Sequence, residues 1–232
     1  MRFPDQNDSN ATLFKLGRYA GARVLADPEV ARLASLIRAP HQKLKEAVGR
    51  RNDAADAVTD DEAGRDFHLD ALRDLVNDLA LSAHAHFKSR DHQGFTRLFP
   101  EAPSTLAATP AKDRAKVLGA FVRAVSSPKT PKELALLGKQ VAETWKLVQA
   151  GDAAVGEAEK AAADADDAVG AAREAWFTGY RRLHAQLTDR FPTDKKRVGR
   201  YFKSASAGKG KGRKAVVKPA QVASGGEGNG NG

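Results

Sequence analysis

Whatever catalytic or metal-binding chemistry this chain could support must come from six histidines and twenty-nine carboxylates, because it contains no cysteine. That absence excludes disulfides, thiol nucleophiles, thiolate zinc sites and cysteine-held iron–sulfur clusters. A di-iron helical bundle needs Glu-x-x-His pairs facing inward, and no glutamate here is followed three residues later by His. His84 and His86 stand two apart, about 200° around a helix at 3.6 residues per turn, so they cannot share one ion. His84 is expected to face the core as a structural residue. His92 and His184 each precede a Phe-Pro pair by seven residues, where an imidazole can bond the last carbonyls of a helix and complement its dipole. Asp70, Asp74 and Asp78 recur every four residues opposite the Leu72/Val76/Leu79 stripe, the pattern of a solvated surface. There is no Gly-x-Ser-x-Gly elbow, Walker loop or Gly-x-Gly-x-x-Gly. The sequence therefore predicts a non-catalytic protein without a cofactor or metal.

Charge is the remaining chemical signal. The chain carries 38 Lys and Arg against 29 Asp and Glu, a formal net charge of +9. The segment after Pro192 holds ten of the cations (Lys195, Lys196, Arg197, Arg200, Lys203, Lys209, Lys211, Arg213, Lys214 and Lys218) and only Asp194 and Glu227 as acids. The first 192 residues are then nearly neutral. Residues 204–232 are Gly, Lys, Ser and Ala with few apolar side chains, and are expected to be a disordered tail. Residues 195–218 can neutralise phosphates without reading sequence, through counterion release. This segment's composition resembles the Lys/Ala/Pro/Gly tails of some histone-like and nucleoid proteins, over fewer than thirty residues. The leading expectation is a helical-bundle interaction or scaffolding protein, with a protein partner or second copy on its helical faces; the alternative is a sequence-nonspecific binder of DNA, RNA or another polyanion acting through residues 195–218. Tyr201 and Phe202, amid these cations, are expected to pack on the end of the fold rather than stack on bases.

The elements that position these residues read as helices throughout. Asp27-Pro28 predicts a cap and first turn, followed by Val30, Leu33, Ile37, Leu44, Val48, Ala55 and Val58 at helical spacing, with Pro40 expected to kink the run. Thr59-Asp60-Asp61-Glu62 matches a capping box and predicts a second helix bearing Leu69, Leu72, Val76, Leu79, Ala83 and Phe87. A shorter helix is predicted over 110–125, burying Val117, Leu118, Phe121 and Val122. Thr130-Pro131-Lys132-Glu133, a further capping box, opens a run from Leu134 through Val141, Val148, Val155, Ala162, Val169 and Trp176 to Leu183, each seven residues after the last.

Phe99-Pro100 and Phe191-Pro192 close the two long runs, with Phe3-Pro4 as a third such pair. The pattern predicts an internal repeat over roughly 12–100 and 114–203, each unit a short helix and a long helical hairpin. The hairpin tips fall near residue 59 and within 151–164. The unbroken heptads also permit one helix across 131–190. The predicted fold is all-α: a duplicated hairpin forming an antiparallel four-helix bundle over 1–203, with short capping helices and a disordered basic C-terminal tail. Phe99, Phe191, Trp145, Trp176 and Tyr180 are the expected large core residues. No apolar run of signal-peptide or membrane-spanning type is present, so the sequence predicts a cytoplasmic protein.

Overall fold

Every regular element among residues 3–203, which the computed structural model describes, is a helix. Helix α1 spans Asn10–Leu25, α2 Ser35–Phe87, α3 Gln93–Leu98, α4 Pro103–Ala107, α5 Ala111–Val125, α6 Lys132–Arg190 and α7 Lys195–Arg200. A 3₁₀ turn over Ala31–Ala34 leads into α2. The predicted tail, with Lys209, Lys211, Arg213, Lys214 and Lys218, lies outside the described residues.

The predicted hairpins are not formed. Helix α2 is continuous for 53 residues and α6 for 59, about 80 and 88 Å at 1.5 Å per residue. They run antiparallel along each other: the Leu36 carbonyl lies beside Gly179, Arg51 beside Asp166, Arg65 beside Gly151 and His86 beside Glu133. The architecture is thus one long two-helix pair with short helices packed at each end, in place of a four-helix bundle. Thr59 does not cap, since its hydroxyl donates to the Ala55 carbonyl within α2. A capping box starts a helix only where the preceding backbone leaves it, and the partner helix keeps residues 52–66 helical. Thr130 likewise donates to Ala124, and Pro131 serves as N-cap without a side-chain bond.

The start of α2 also differs. Asp27 caps no α-helix; the chain turns through 27–30 and enters α2 at Ser35, which then continues through Pro40. Pro40 has no N–H to give the Leu36 carbonyl. That carbonyl faces the backbone of α6, where a Cβ on Gly179 would fall 2.4 Å from its oxygen. The absence of a side chain at Gly179 is what lets the two helices close at this crossing.

Two separate cores follow. One gathers Leu13, Ile37 and Leu44 around Trp176, Tyr180, Leu183, Phe191, Tyr201 and Phe202. The other gathers Leu72, Val76 and Leu79 around Phe95, Phe99, Phe121, Trp145 and Val148. All five expected large core residues are buried. Between the cores, from Ala47 to Leu69 on α2 and from Val155 to Val169 on α6, no residue is fully buried. The seam there is half-buried Ala54, Val58, Ala158, Ala162 and Ala165, with Arg51, Asp61 and Arg65 at its edges. Alanine permits close approach but supplies little apolar area, so this neck is held by backbone proximity and helix continuity more than by burial. No helix among the described residues is long and apolar enough to cross a membrane.

Candidate nucleic-acid interface

The antiparallel register divides the charges in a way the linear sum conceals. The end formed by residues 3–51 and 169–203, termed the basic head, carries 18 Lys/Arg and 8 Asp/Glu. The neck, 52–68 and 152–168, carries 2 Lys/Arg and 12 Asp/Glu. The far head, 69–151, carries 12 and 8. The near-neutrality of the first 192 residues is a cancellation between a basic end and an acidic middle. Low-dielectric walls and a cluster of one sign focus the field toward the head.

Of the cations expected to contact an anion, α7 presents four and Lys203 follows just after it, and they do not act alike. Lys195, Lys196, Arg200 and Lys203 are exposed. Arg197 instead turns inward, donating to Asp27 Oδ2 at 3.0 Å and Glu29 Oε2 at 2.8 Å and lying 3.8 Å over the Phe191 ring. Tyr201 donates its hydroxyl to the same Asp27 carboxylate. These bonds from Tyr201, then Arg197, then the Glu29 backbone N–H hold the Asp27 carboxyl below its ordinary range. Arg197 is correspondingly a clamp joining α7 to the turn before α2, its guanidinium engaged by two carboxylates. Tyr201 stacks on Phe191, and Phe202 packs edge-on against Tyr180, both buried. Burial pushes the Tyr180 hydroxyl up to about 12.

The head adds cations that sequence reasoning passed over: Lys15, Arg18, Arg23, Arg32, Arg38, Lys43, Lys45, Arg181 and Arg182. A cleft of about 580 Å³ between α1 and α2 is lined by Arg18, Arg38, His41 and Gln42 and by no carboxylate. A second groove, about 440 Å³, lies between α2 and α6 and is lined by Arg32, Arg182 and Gln186, again without an acid. Counting charge separately over the helical runs, rather than over the whole body, would have exposed both the head and the acidic neck.

The remaining histidines and carboxylates assemble no site. His84 and His86 are exposed, not core-facing, because the buried stripe runs through Leu79 and Ala83. His92 caps the start of α3, its Nδ1 accepting from the Gly94 N–H, rather than the end of a helix. His184 packs against Phe3 and Phe202, and burial lowers its pKa. Asp70, Asp74 and Asp78 are exposed on α2. No group of three or more metal-ligating side chains occurs among the described residues.

Compared with known proteins, the chain matches no family model, no curated protein and no solved structure.

Proposed function

We propose that this chain is a rod-shaped binding protein that holds nucleic acid at its basic head without reading base sequence. The observation that carries this reading is the segregation of charge, 18 cations against 8 acids in the head and 2 against 12 in the neck. Exposed Lys and Arg neutralise phosphates and release counterions without regard to base sequence. The acidic neck repels the same polyanion, so it limits contact to one end. The sequence after Lys203 adds Lys209, Lys211, Arg213, Lys214 and Lys218 to the chain's cations. We read the two halves as repeats of one unit, a short helix followed by a long one, with Phe99 and Phe191 each buried beside a helix end.

The test is filter binding of the full chain to single- and double-stranded oligonucleotides over a salt series. A steep fall in affinity with salt is expected. The triple change Lys195→Glu, Lys196→Glu, Arg200→Glu should reduce both affinity and slope, and equal binding by the variant and the parent would sink the proposal. A cut after Pro192 is unsuitable here, because it would remove buried Val198, Tyr201 and Phe202; a cut after Lys203 measures the tail alone.

One observation favours a second, scaffolding role away from the basic head. Phe67 and Leu81, 72% and 65% exposed, lie four turns apart on one face of α2, and exposed Leu136 and Leu147 lie three turns apart on α6. Light scattering on the full chain, with Leu81→Ser and Leu136→Ser as the comparison, distinguishes self-association through this face from a monomeric rod.

A further inference from the structure

Two buried polar atoms, Nδ1 of His41 and Nε1 of Trp176, lie without hydrogen-bond partners behind the wall of the cleft between α1 and α2. Both converge on Gly17, where an added Cβ would fall 2.6 Å from the first and 2.8 Å from the second. An unmade hydrogen bond in a buried place carries a desolvation cost, so native structures rarely leave one without a reason. The cleft itself is lined by Arg18 from α1 and Arg38 and Gln42 from α2, the Gln42 amide donating to Glu46 at 2.8 Å, with Lys45 one turn beyond His41. None of Arg18, Arg38 and Lys45 has a carboxylate partner among the described residues, although Asp27 and Glu29 engage Arg197 and Arg190 at the same end of the molecule.

We infer that this cleft is a discrete seat for one phosphodiester group of the bound nucleic acid, with the Arg18 and Arg38 guanidiniums and the His41 ring converging on the phosphate oxygens. Guanidinium forks match phosphate oxygens bidentately, which ammonium groups scattered on a surface do not. Phe14 meets the His41 ring edge to face at 5.8 Å and fixes its plane, so the ring is held for contact rather than free to rotate away. The groups facing His41 are cationic on both elements, Arg18 on α1 and Lys45 on α2. Burial first, and these charges second, lower its pKa. An anion in the cleft offsets the charges and favours a protonated, donating imidazole.

This inference rests on the nucleic-acid reading of the head, and the experiment separates the two. The full chain is labelled on its histidine nitrogens, and the six imidazoles are followed by NMR against pH. The probes are an oligonucleotide lacking a terminal phosphate and, separately, inorganic phosphate. The oligonucleotide is expected to shift the His41 resonances and raise its pKa, with inorganic phosphate doing so only weakly. In Arg38→Ala the His41 response should vanish while the other five histidines keep their resonances, which also shows that the variant is folded. Oligonucleotide affinity in that variant should drop about tenfold or more, the factor one charge-assisted hydrogen bond carries. If the oligonucleotide binds and His41 does not respond, the cleft assignment is wrong and the head reading stands. If inorganic phosphate moves His41 but the oligonucleotide does not bind, the seat is real and the nucleic-acid reading fails. If neither probe moves His41, the seat is refuted.

Discussion

The basic head and the neck are built from the same two helices, yet they solve different problems. In the head, α2 and α6 carry Ile37, Leu44, Trp176, Tyr180 and Leu183, all at most 1% exposed, and short elements close the sides. In the neck the same helices carry alanine at the seam and acids outside, with nothing packed over them. The closest crossing in the head is set by one glycine. A Cβ at Gly179 in the head would strike the Leu36 carbonyl, whereas at Gly156 in the neck it would meet nothing within 4 Å. Side-chain burial therefore locates the ends, and the continuous backbone only spaces them. Charge follows the same division, with cations where a rigid surface can present them and acids where the rod is bare.

The largest break in that comparison should come from Trp176→Ala. Truncating a fully buried indole is expected to cost about 3–5 kcal/mol. Because Trp145 in the far head is then the sole tryptophan, the loss of helix by circular dichroism should precede the change in its fluorescence. Coincident transitions would mean that the neck couples the two cores into one unit.

Next in size are the paired glycine changes. Gly179→Ala should destabilise by about 1–3 kcal/mol, the usual cost of overpacking a close crossing. Gly156→Ala should stabilise by about 0.5–1 kcal/mol, since alanine loses less backbone freedom in an open helix. Urea denaturation of both variants measures the opposite signs directly, and a loss in both would show that the neck is as tightly packed as the head.

Much of the ends was legible in sequence because it is local and periodic. The heptads from Leu134 to Leu183, the closure at Phe191-Pro192 and the burial of Tyr201 and Phe202 need only spacing and residue type, whereas Phe99-Pro100 ends the short α3 because α2 has already stopped at Phe87. The continuity of α2 and α6 was not legible, because the signals at Thr59 and Gly151 are local while the partner helix that overrides them lies about a hundred residues away. The clamp was hidden for the same reason: Asp27 and Arg197 are 170 residues apart and become neighbours only through the antiparallel register. Of the candidate site, Lys195, Lys196, Arg200 and Lys203 were visible as a run. Arg18, Arg38 and His41 were not, since each looks like an ordinary surface residue until α1 folds against α2.

Acid sensitivity sharpens the comparison at a smaller scale. His41 and His184, both in the basic head, have folded pKa values below the unfolded value of about 6.5. The unfolded chain then binds more protons, so head stability is expected to fall as pH drops through about 6.5 toward the folded values. Replacing both by Gln should flatten a melting-temperature profile between about pH 7 and 5. Asp27 acts at lower pH. Its depressed pKa means that its contribution is present above about pH 4 and lost as pH falls through the folded value. Asp27→Asn should lower the melting temperature at neutral pH and make the profile below about pH 4 shallower, with the smallest effect of the set.

The central claim, that nucleic acid is held at one end of the rod, is tested most directly by hydrogen exchange on the full chain with and without a saturating oligonucleotide. Slower exchange is expected in α1, in the first turns of α2, in the last turns of α6 and in α7, with the neck and the far head unchanged. Protection centred on α3 to α5 or along the neck, or no protection anywhere under conditions where the oligonucleotide is bound, would contradict it.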